Sequence, residues 1–456
     1  MIFRLWLLFV VCHISAFSLA QIRGFGSGRM SIEQSESCIS EIESAAIENL
    51  LSVRLDSLKR ANPRLISNLN QKSDTRFAWP LSWRTGFPGK SYFSISNHFD
   101  LLANSGIRDF NCLRRTYNGH RGVDIFLWPA WWKKMDEEQV DVVASQKGVI
   151  LARADGNFDR QCVWTNAQWN AVYVLHPDNQ IVWYGHLKRN TVTAKLVGDS
   201  VAQGEYLGKV GSSGRSSGPH LHFEVTKNST KFDPFQGPCQ SQSSLWQNQL
   251  PYWNSFLSLS QTQSSAPIFP NCPAREDLLE KSHFEVGDSV FLCNYYRDLR
   301  NGDTTIVYLQ NSIGEYLDTV FHIDTLDESF YSAAYNFWFY VFDVDLSPPG
   351  SYTFTSIYKR DTSKVVFQYG DSTITNITSH SIFTKCSNFY ISGNMLKRKK
   401  INSPEQIELY AFDGRKIFIT AFGVNEKEIK LPNIIPNKFV LRSTLSNESH
   451  ILLFHH

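Results

Sequence analysis

The chain has 456 residues, of which 42% are hydrophobic, 14% aromatic and 19% charged, and its formal net charge is +2. That length predicts more than one domain, and so small a net charge singles out neither an acidic nor a basic partner. The basic cluster Lys397-Arg398-Lys399-Lys400 has the size of a solvated loop or hairpin edge, so nucleic acid is not an expected partner.

In chain order, residues 1–20 read as a secretory signal: Arg4 leads an apolar run from Leu5 to Phe17, and Ser18-Leu19-Ala20 offers a small-residue cleavage site before Gln21. The run is shorter than the roughly 20 residues a bilayer span needs, and no later segment is apolar enough to replace it. A secreted or cell-surface protein, or a periplasmic one, without a transmembrane anchor is expected. Loss of the signal removes Cys12 and leaves Cys38, Cys112, Cys162, Cys239, Cys272, Cys293 and Cys386. None lies in a Cys-x-x-Cys pair, so disulfides are expected rather than a thiolate metal site, with an odd thiol left over. Next comes a helical segment over 31–73, in which Ile39, Ile42, Ala46, Leu50, Leu51 and Leu55 form an apolar stripe. It reads either as packing against the next domain or as a short pro-segment.

The chemistry-bearing residues lie between Asp74 and Trp253. In His220-Leu221-His222-Phe223-Glu224-Val225 polar and apolar residues alternate, so a strand would direct His220 and His222 to one face. At about 3.3 Å per residue they would stand roughly 6 to 7 Å apart, which suits one metal ligand beside one acid or base. Upstream, His120 and Asp124 flank Gly122 and run into Val123-Asp124-Ile125-Phe126-Leu127, a loop entering a strand. Histidines and a carboxylate in this pattern meet the needs of a zinc hydrolase: ligands, an open position for water, and imidazoles to handle protons. The segment Gly211 to Gly218 lacks the Gly-Lys-Ser/Thr of a phosphate-binding loop and reads as a turn beside an extended substrate. His176, at the end of a β-like run before Pro177-Asp178-Asn179, is expected at a hairpin turn. Trp128, Trp132, Trp164, Trp169 and Trp183 are mostly core candidates, while Trp131-Trp132 before Lys133-Lys134 is read as a loop walling a groove.

Across His120 to Val225 the sequence resembles the LytM and lysostaphin type zinc metalloendopeptidases that cut peptidoglycan peptides. The match rests on His120-Arg-Gly-Val-Asp124, Tyr184-Gly185-His186-Leu187, Val197-Gly198-Asp199-Ser200-Val201, and Ser217-Gly218-Pro219-His220-Leu221-His222. This resemblance implies an antiparallel-sheet peptidase domain over 74–253 that binds one Zn2+ through His120, Asp124 and His222. It makes His186 and His220 the unligated catalytic histidines, their two tasks undivided. A peptide of peptidoglycan would be the substrate. Relatives that have lost ligands imply a competing reading, a non-catalytic wall-binding or activating protein, and relatives that cut glycine-rich proteins imply another, an endopeptidase directed at extracellular protein. With sequence proximity, the resemblance also suggests the pairs Cys112–Cys162 and Cys239–Cys272.

After this domain, Ser258 to Pro267 is too polar to be expected in a core, and 254–285 is read as a linker. Over 286–380, runs at 289–294, 304–310, 316–323, 336–342, 350–358 and 364–369 have the spacing of a β-sandwich, and Pro349 to Phe354 resembles a corner of immunoglobulin-like domains. The fold class is thus mainly β throughout. Finally, 386–456 is a small β domain that loosely resembles the sorting domain of the type IX export route, implying attachment at the outer surface; it ends in His455-His456 without the usual basic tail.

Overall fold

The computed structural model describes residues 22–30, 38–69, 76–102, 105–163, 165–342 and 348–370, together with seven strands between 389 and 453. The leader, Trp164, Cys386 and His455-His456 lie outside the described residues. The chain is mainly β. Its central sheet is antiparallel and places Phe93–Asn97, Val123–Leu127, His220–Lys227, Gln180–Gly185, Ala171–Leu175, Gly148–Ala154 and Ser200–Val201 side by side, with Thr230–Lys231 paired to His220–Lys227.

Alternation along these strands sorts the residues into two faces. Val123, Ile125, Leu127, Leu221, Phe223, Val225, Val182 and Tyr184 enter one core, which a three-stranded sheet of Leu81–Trp83, Val140–Val143 and Tyr206–Lys209 helps enclose. The intervening residues, Asp124, His222 and Glu224 among them, emerge on the opposite face. On that face the sheet also presents Val149, Leu151, Tyr173, Leu175 and Trp183 to the N-terminal helices Glu41–Ala61 and Pro63–Leu69.

The first helix begins where Ser40 caps it, its Oγ accepting from the Glu43 N–H at 3.2 Å, with Glu41 and Glu43 in the first turn and Lys59 and Arg60 in the last. Its inward stripe is Ile47, Leu51, Leu55 and Leu58, with Ile39, just ahead of the cap, in the same cluster. Ile42 and Leu50, expected on that stripe, are 86% and 43% exposed, because the helix turns its Leu51 side to the sheet.

The expected linker is structured. Phe256–Gln263 is an edge strand of a sheet ordered Ile22–Arg29, Phe330–Val341, Ser289–Arg300, Phe256–Gln263. Ser258 Oγ is buried without a partner, but the polar side chains that follow are buried with one: Ser260 donates to Asn294 Oδ1 at 2.7 Å, Gln261 to the Leu278 carbonyl at 3.1 Å, and Thr262 to the Lys281 carbonyl at 2.6 Å. A second sheet, ordered His283–Phe284, Asp361–Tyr369, Gly350–Tyr358, Thr304–Gln310, Tyr316–Ile323, shares with it a core that includes Val290, Leu292, Val307, Trp338, Tyr340, Phe354 and Phe367. All the runs expected over 286–380 fall on strands, 336–342 running one residue past its strand; two further strands, from residues 22–29 and 256–263, complete the first sheet.

The disulfides differ from the expected pairs. Cys112 joins Cys239, and Cys162 joins Cys272, so each bridge ties a loop of the central domain to chain more than a hundred residues on, rather than to the nearest cysteine. Cys38 and Cys293 are free and buried.

His176 is more deeply placed than a turn position implies. It is fully buried, with Nδ1–H donating to the Lys147 carbonyl at 2.9 Å and Nε2 accepting from the Tyr184 hydroxyl at 3.0 Å, and burial pushes its pKa down to about 4. Between about pH 6.5 and 4 the unfolded chain therefore binds a proton here that the folded chain does not, and stability falls as pH falls through that window. The term is worth about 2–3 kcal/mol at pH 4.5. In His176→Gln the difference in denaturant stability between pH 7 and pH 4.5 should shrink by that amount; an unchanged difference would refute the assignment.

Candidate metal centre

All five polar residues singled out in the sequence come together on the helix-covered face of the central sheet. Cross-strand register places His222 opposite Asp124 and, on its other side, opposite Gly185, which precedes His186. Each of the five is at most 2% exposed. Ligand atoms of His120, Asp124 and His222 lie within 4.8 Å of one another.

Partners on the far side of each ring decide which nitrogen faces inward. His120 Nδ1 donates to the His98 carbonyl at 2.8 Å, leaving Nε2 to face Asp124 Oδ2 at 3.1 Å without hydrogen-bond geometry. That is the relation of two atoms aimed at a common third. His222 is turned the other way: Nε2–H donates to Glu224 Oε2 at 3.2 Å, and Nδ1 lies 2.9 Å from Asp124 Oδ1. His186 and His220 hold their Nδ1 on the carbonyls of Ser213 (2.6 Å) and Gly218 (2.8 Å). Their rings are 4.3 Å apart, and both Nε2 atoms are buried without a partner.

The local backbone serves this arrangement. Gly122 is required because a Cβ there would stand 2.6 Å from Cε1 of His222. His186 adopts φ 61°, a left-handed conformation uncommon for a side chain of this size. Strain of this kind persists where the surroundings enforce it, here through the Ser213 carbonyl and the edge of Trp169, whose ring lies 5.0 Å from that of His186. Gly122→Ala should weaken metal binding about 10–100-fold by displacing His222, with the far-UV spectrum preserved. Chelator competition checks this, and parent-like affinity would refute it.

Electrostatically the cluster is built for a cation. Burial opposes ionisation of Asp124, yet His120 and His222 hold its carboxyl well below the usual range. Burial also opposes a charged His120, and Asp124 with Cys38 outweighs it, pushing its pKa up to about 9. A buried carboxylate demands positive charge, which imidazole protons or a divalent ion can provide. Two inward nitrogens and a carboxylate, their outer sides already bonded, are the donor set of an open three-ligand metal site, so the residues fit the ion.

Several neighbours of the site are not apparent from its motifs. Asn97 Nδ2 donates to Asp124 Oδ2 at 3.3 Å, Trp169 flanks His186 and His222, and Lys231 pairs with Glu224 at 3.0 Å. Most unexpected is Cys38, whose ligand atom lies in one group with those of His120, Asp124 and His222 and in a second with those of His186 and His220. An odd thiol was expected among the seven cysteines, but no sequence signal singled out Cys38. Trp131 and Trp132, by contrast, begin a short helix, Trp131–Asp136, rather than a loop. Trp132 is core, and Trp131 packs so closely under Gly218 that a Cβ there would come within 2.4 Å of its ring. His176 lies outside the cluster.

Comparison with known proteins agrees with this geometry. Residues 119–234 match the model of Peptidase family M23. The chain is 31% identical over 126 residues to the peptidoglycan DD-endopeptidase ShyC of Vibrio cholerae, a stretch covering 28% of this chain and 27% of that protein. It is 35% identical over 97 residues to the DD-carboxypeptidase/endopeptidase Mpg of Neisseria meningitidis, covering 21% of each. A third relative, the cell division protein DipM of Caulobacter vibrioides, is 34% identical over 86 residues, 19% of this chain and 14% of that protein. The chain thus spans about a quarter or less of these relatives' lengths, and the likeness concerns the central domain. Residues 119–234 are a metallopeptidase domain of family M23, carried within a larger chain.

Proposed function

We propose that the protein is a secreted zinc endopeptidase that hydrolyses amide bonds in the stem peptides or cross-links of peptidoglycan. The observation that carries this reading is completeness: His120, Asp124 and His222 bring ligand atoms within 4.8 Å of one another, and His186 and His220 present unpartnered Nε2 atoms beside them. Relatives named for peptidoglycan endopeptidase activity supply the substrate class.

In this reading His120 Nε2, an oxygen of Asp124 and His222 Nδ1 hold the ion, which when bound supplies Lewis acidity and lowers the pKa of water to about 7. His186 and His220, with Nδ1 fixed on carbonyls, present bare Nε2 atoms to the space in front of it. One takes a proton from the attacking water and returns it to the leaving amine. The other, protonated, stabilises the oxyanion that develops on the scissile carbonyl. Glu224 orients His222 and Asn97 orients Asp124.

The remaining assignments are of the same kind. Residues 1–20 export the chain; the paired sheets, formed by strands 22–29, 256–263 and those between 283 and 369, are an immunoglobulin-like spacer, and 386–456 attaches the protein at the outer surface. The described residues contain no helix long and apolar enough to cross a membrane. The test of the activity is digestion of purified peptidoglycan by the Cys38→Ala chain, which lacks the sulfur among the histidines, with released peptides read by mass spectrometry. New amine termini that vanish with a chelator and return with zinc are expected. A metal-loaded chain that binds the wall and releases no amine would instead support the non-catalytic reading, and cleavage of extracellular protein alone would redirect the substrate.

A further inference from the structure

Cys38 is the one group at the centre for which the proposed reaction has no task. Its side chain is carried by the N-terminal segment, not by the peptidase domain, and it is only 2% exposed. Its Sγ lies 3.9 and 3.8 Å from the two oxygens of Asp124 and shares space with the inward nitrogens of all four site histidines. Two ligands at about 2.0 and 2.3 Å from a tetrahedral ion are separated by about 3.5 Å, so the sulfur stands near the fourth corner left by His120, Asp124 and His222. The unpartnered Nε2 atoms of His186 and His220 converge on the same point. Substrate and its attacking water would have to occupy that point.

The rest of the segment is built to keep the sulfur in place. The Cys38 N–H donates to the Tyr117 hydroxyl at 3.2 Å, and that hydroxyl lies 3.0 Å from Sγ. Immediately after it, Ile39 enters the cluster with Leu51, Leu69, Trp169 and Trp183, which seats both helices on the sheet. Lys231 then ties the first helix to the site itself: it bonds Ser44 Oγ at 2.5 Å and Glu48 at 3.1 Å, and pairs with Glu224, the residue that orients His222. A loose end that happened to fall over the opening would not be held at the sulfur, along the helix and behind a metal ligand together.

We propose that the segment 38–69 is a built-in inhibitor and that Cys38 is a fourth protein ligand, closing the metal centre until the segment is displaced. The inference rests on the metal-centre reading above. Opening is a ligand exchange: the sulfur–metal bond breaks, the sulfur takes up one proton from solvent, and the vacated position passes to water and substrate. No oxidant or reductant is needed. Exchange of this kind leaves the three domain ligands untouched, so the opened enzyme keeps its ion.

The test uses the whole chain loaded with Co2+ in place of zinc. A near-ultraviolet thiolate-to-cobalt charge-transfer band is expected in the parent and should be absent from Cys38→Ala, although both bind the metal. Because the variant could misfold, mass-mapped alkylation is run on the parent as well: Cys38 should be protected when metal is bound and become reactive when the metal is chelated. If the latent form dominates, Cys38→Ala should hydrolyse peptidoglycan about tenfold faster or more. Metal binding without the band, or with Cys38 equally reactive in both states, overturns the inhibitor proposal and leaves the metal-centre reading standing. Failure of parent and folded variant alike to bind metal overturns both.

Discussion

Alanine in place of His220, introduced into the Cys38→Ala chain, is expected to lower peptidoglycan hydrolysis by about 10²–10⁴-fold, the usual worth of a positioned proton carrier. The loss should fall on kcat more than on KM in the proposed mechanism, because Nε2 of His220 is buried without a partner and available for proton transfer while its Nδ1 is committed to the Gly218 carbonyl. Bound metal should be unchanged, since His220 lies outside the three-ligand set and its closest approach to Asp124 is 3.7 Å. His186→Ala should behave alike. The double variant should cost much less than the product of the two single losses, because one proton pathway is lost only once. Steady-state kinetics on a soluble muropeptide substrate, with metal content measured on the same samples, decides the matter. A His220→Ala chain that keeps parent-like kcat would remove His220 from the reaction.

Replacing Asp298 by alanine is expected to destabilise the chain by about 3–5 kcal/mol, the usual result of leaving a buried charge without its partner. Arg115 and Asp298 form a two-pronged pair at 2.5 and 3.2 Å with side chains 1% and 3% exposed, and Asp298 also accepts from the Asn254 N–H at 3.0 Å. The pair joins the strand Ser289–Arg300 to the loop that leads into His120. Arg115 further accepts the His98 N–H on its carbonyl at 2.8 Å, and the His98 carbonyl in turn orients His120. Loss of Asp298 should therefore weaken metal affinity as well as lower the denaturation midpoint. The double variant Arg115→Met/Asp298→Leu should recover much of the stability, since it leaves no orphaned charge. Denaturant unfolding of the three variants tests this; a change within about 0.5 kcal/mol for Asp298→Ala would show the pair to be ordinary surface electrostatics.

The contrast between what the sequence disclosed and what it hid has a physical basis. The site was legible because its parts are local patterns: alternation in His220 to Val225 sets which side chains share a face, and that geometry does not depend on the rest of the fold. The strands over 289–369 were legible for the same reason, their boundaries aside. Phe256–Gln263 was not, because Ser260, Gln261 and Thr262 are buried with partners at Asn294, Leu278 and Lys281, and composition carries no record of partners. Disulfide connectivity was hidden likewise: Cys112 meets Cys239 across 127 residues because the fold returns there, whereas nearness in sequence favoured Cys162. Cys38 was hidden as well, since no short spacing links it to His120 and only the docking of the N-terminal helices brings it to the site.

Metal content across alanine variants at the five positions tests the central claim most directly. Each variant, purified with zinc and dialysed, is assayed for bound metal by mass spectrometry after its fold is checked by circular dichroism. The account predicts that His186→Ala and His220→Ala retain the ion at the parent stoichiometry, whereas His120→Ala, Asp124→Ala and His222→Ala lose it. Equal retention in all five folded variants, or loss from His186→Ala or His220→Ala, would contradict the division into a metal cage and two proton-handling histidines.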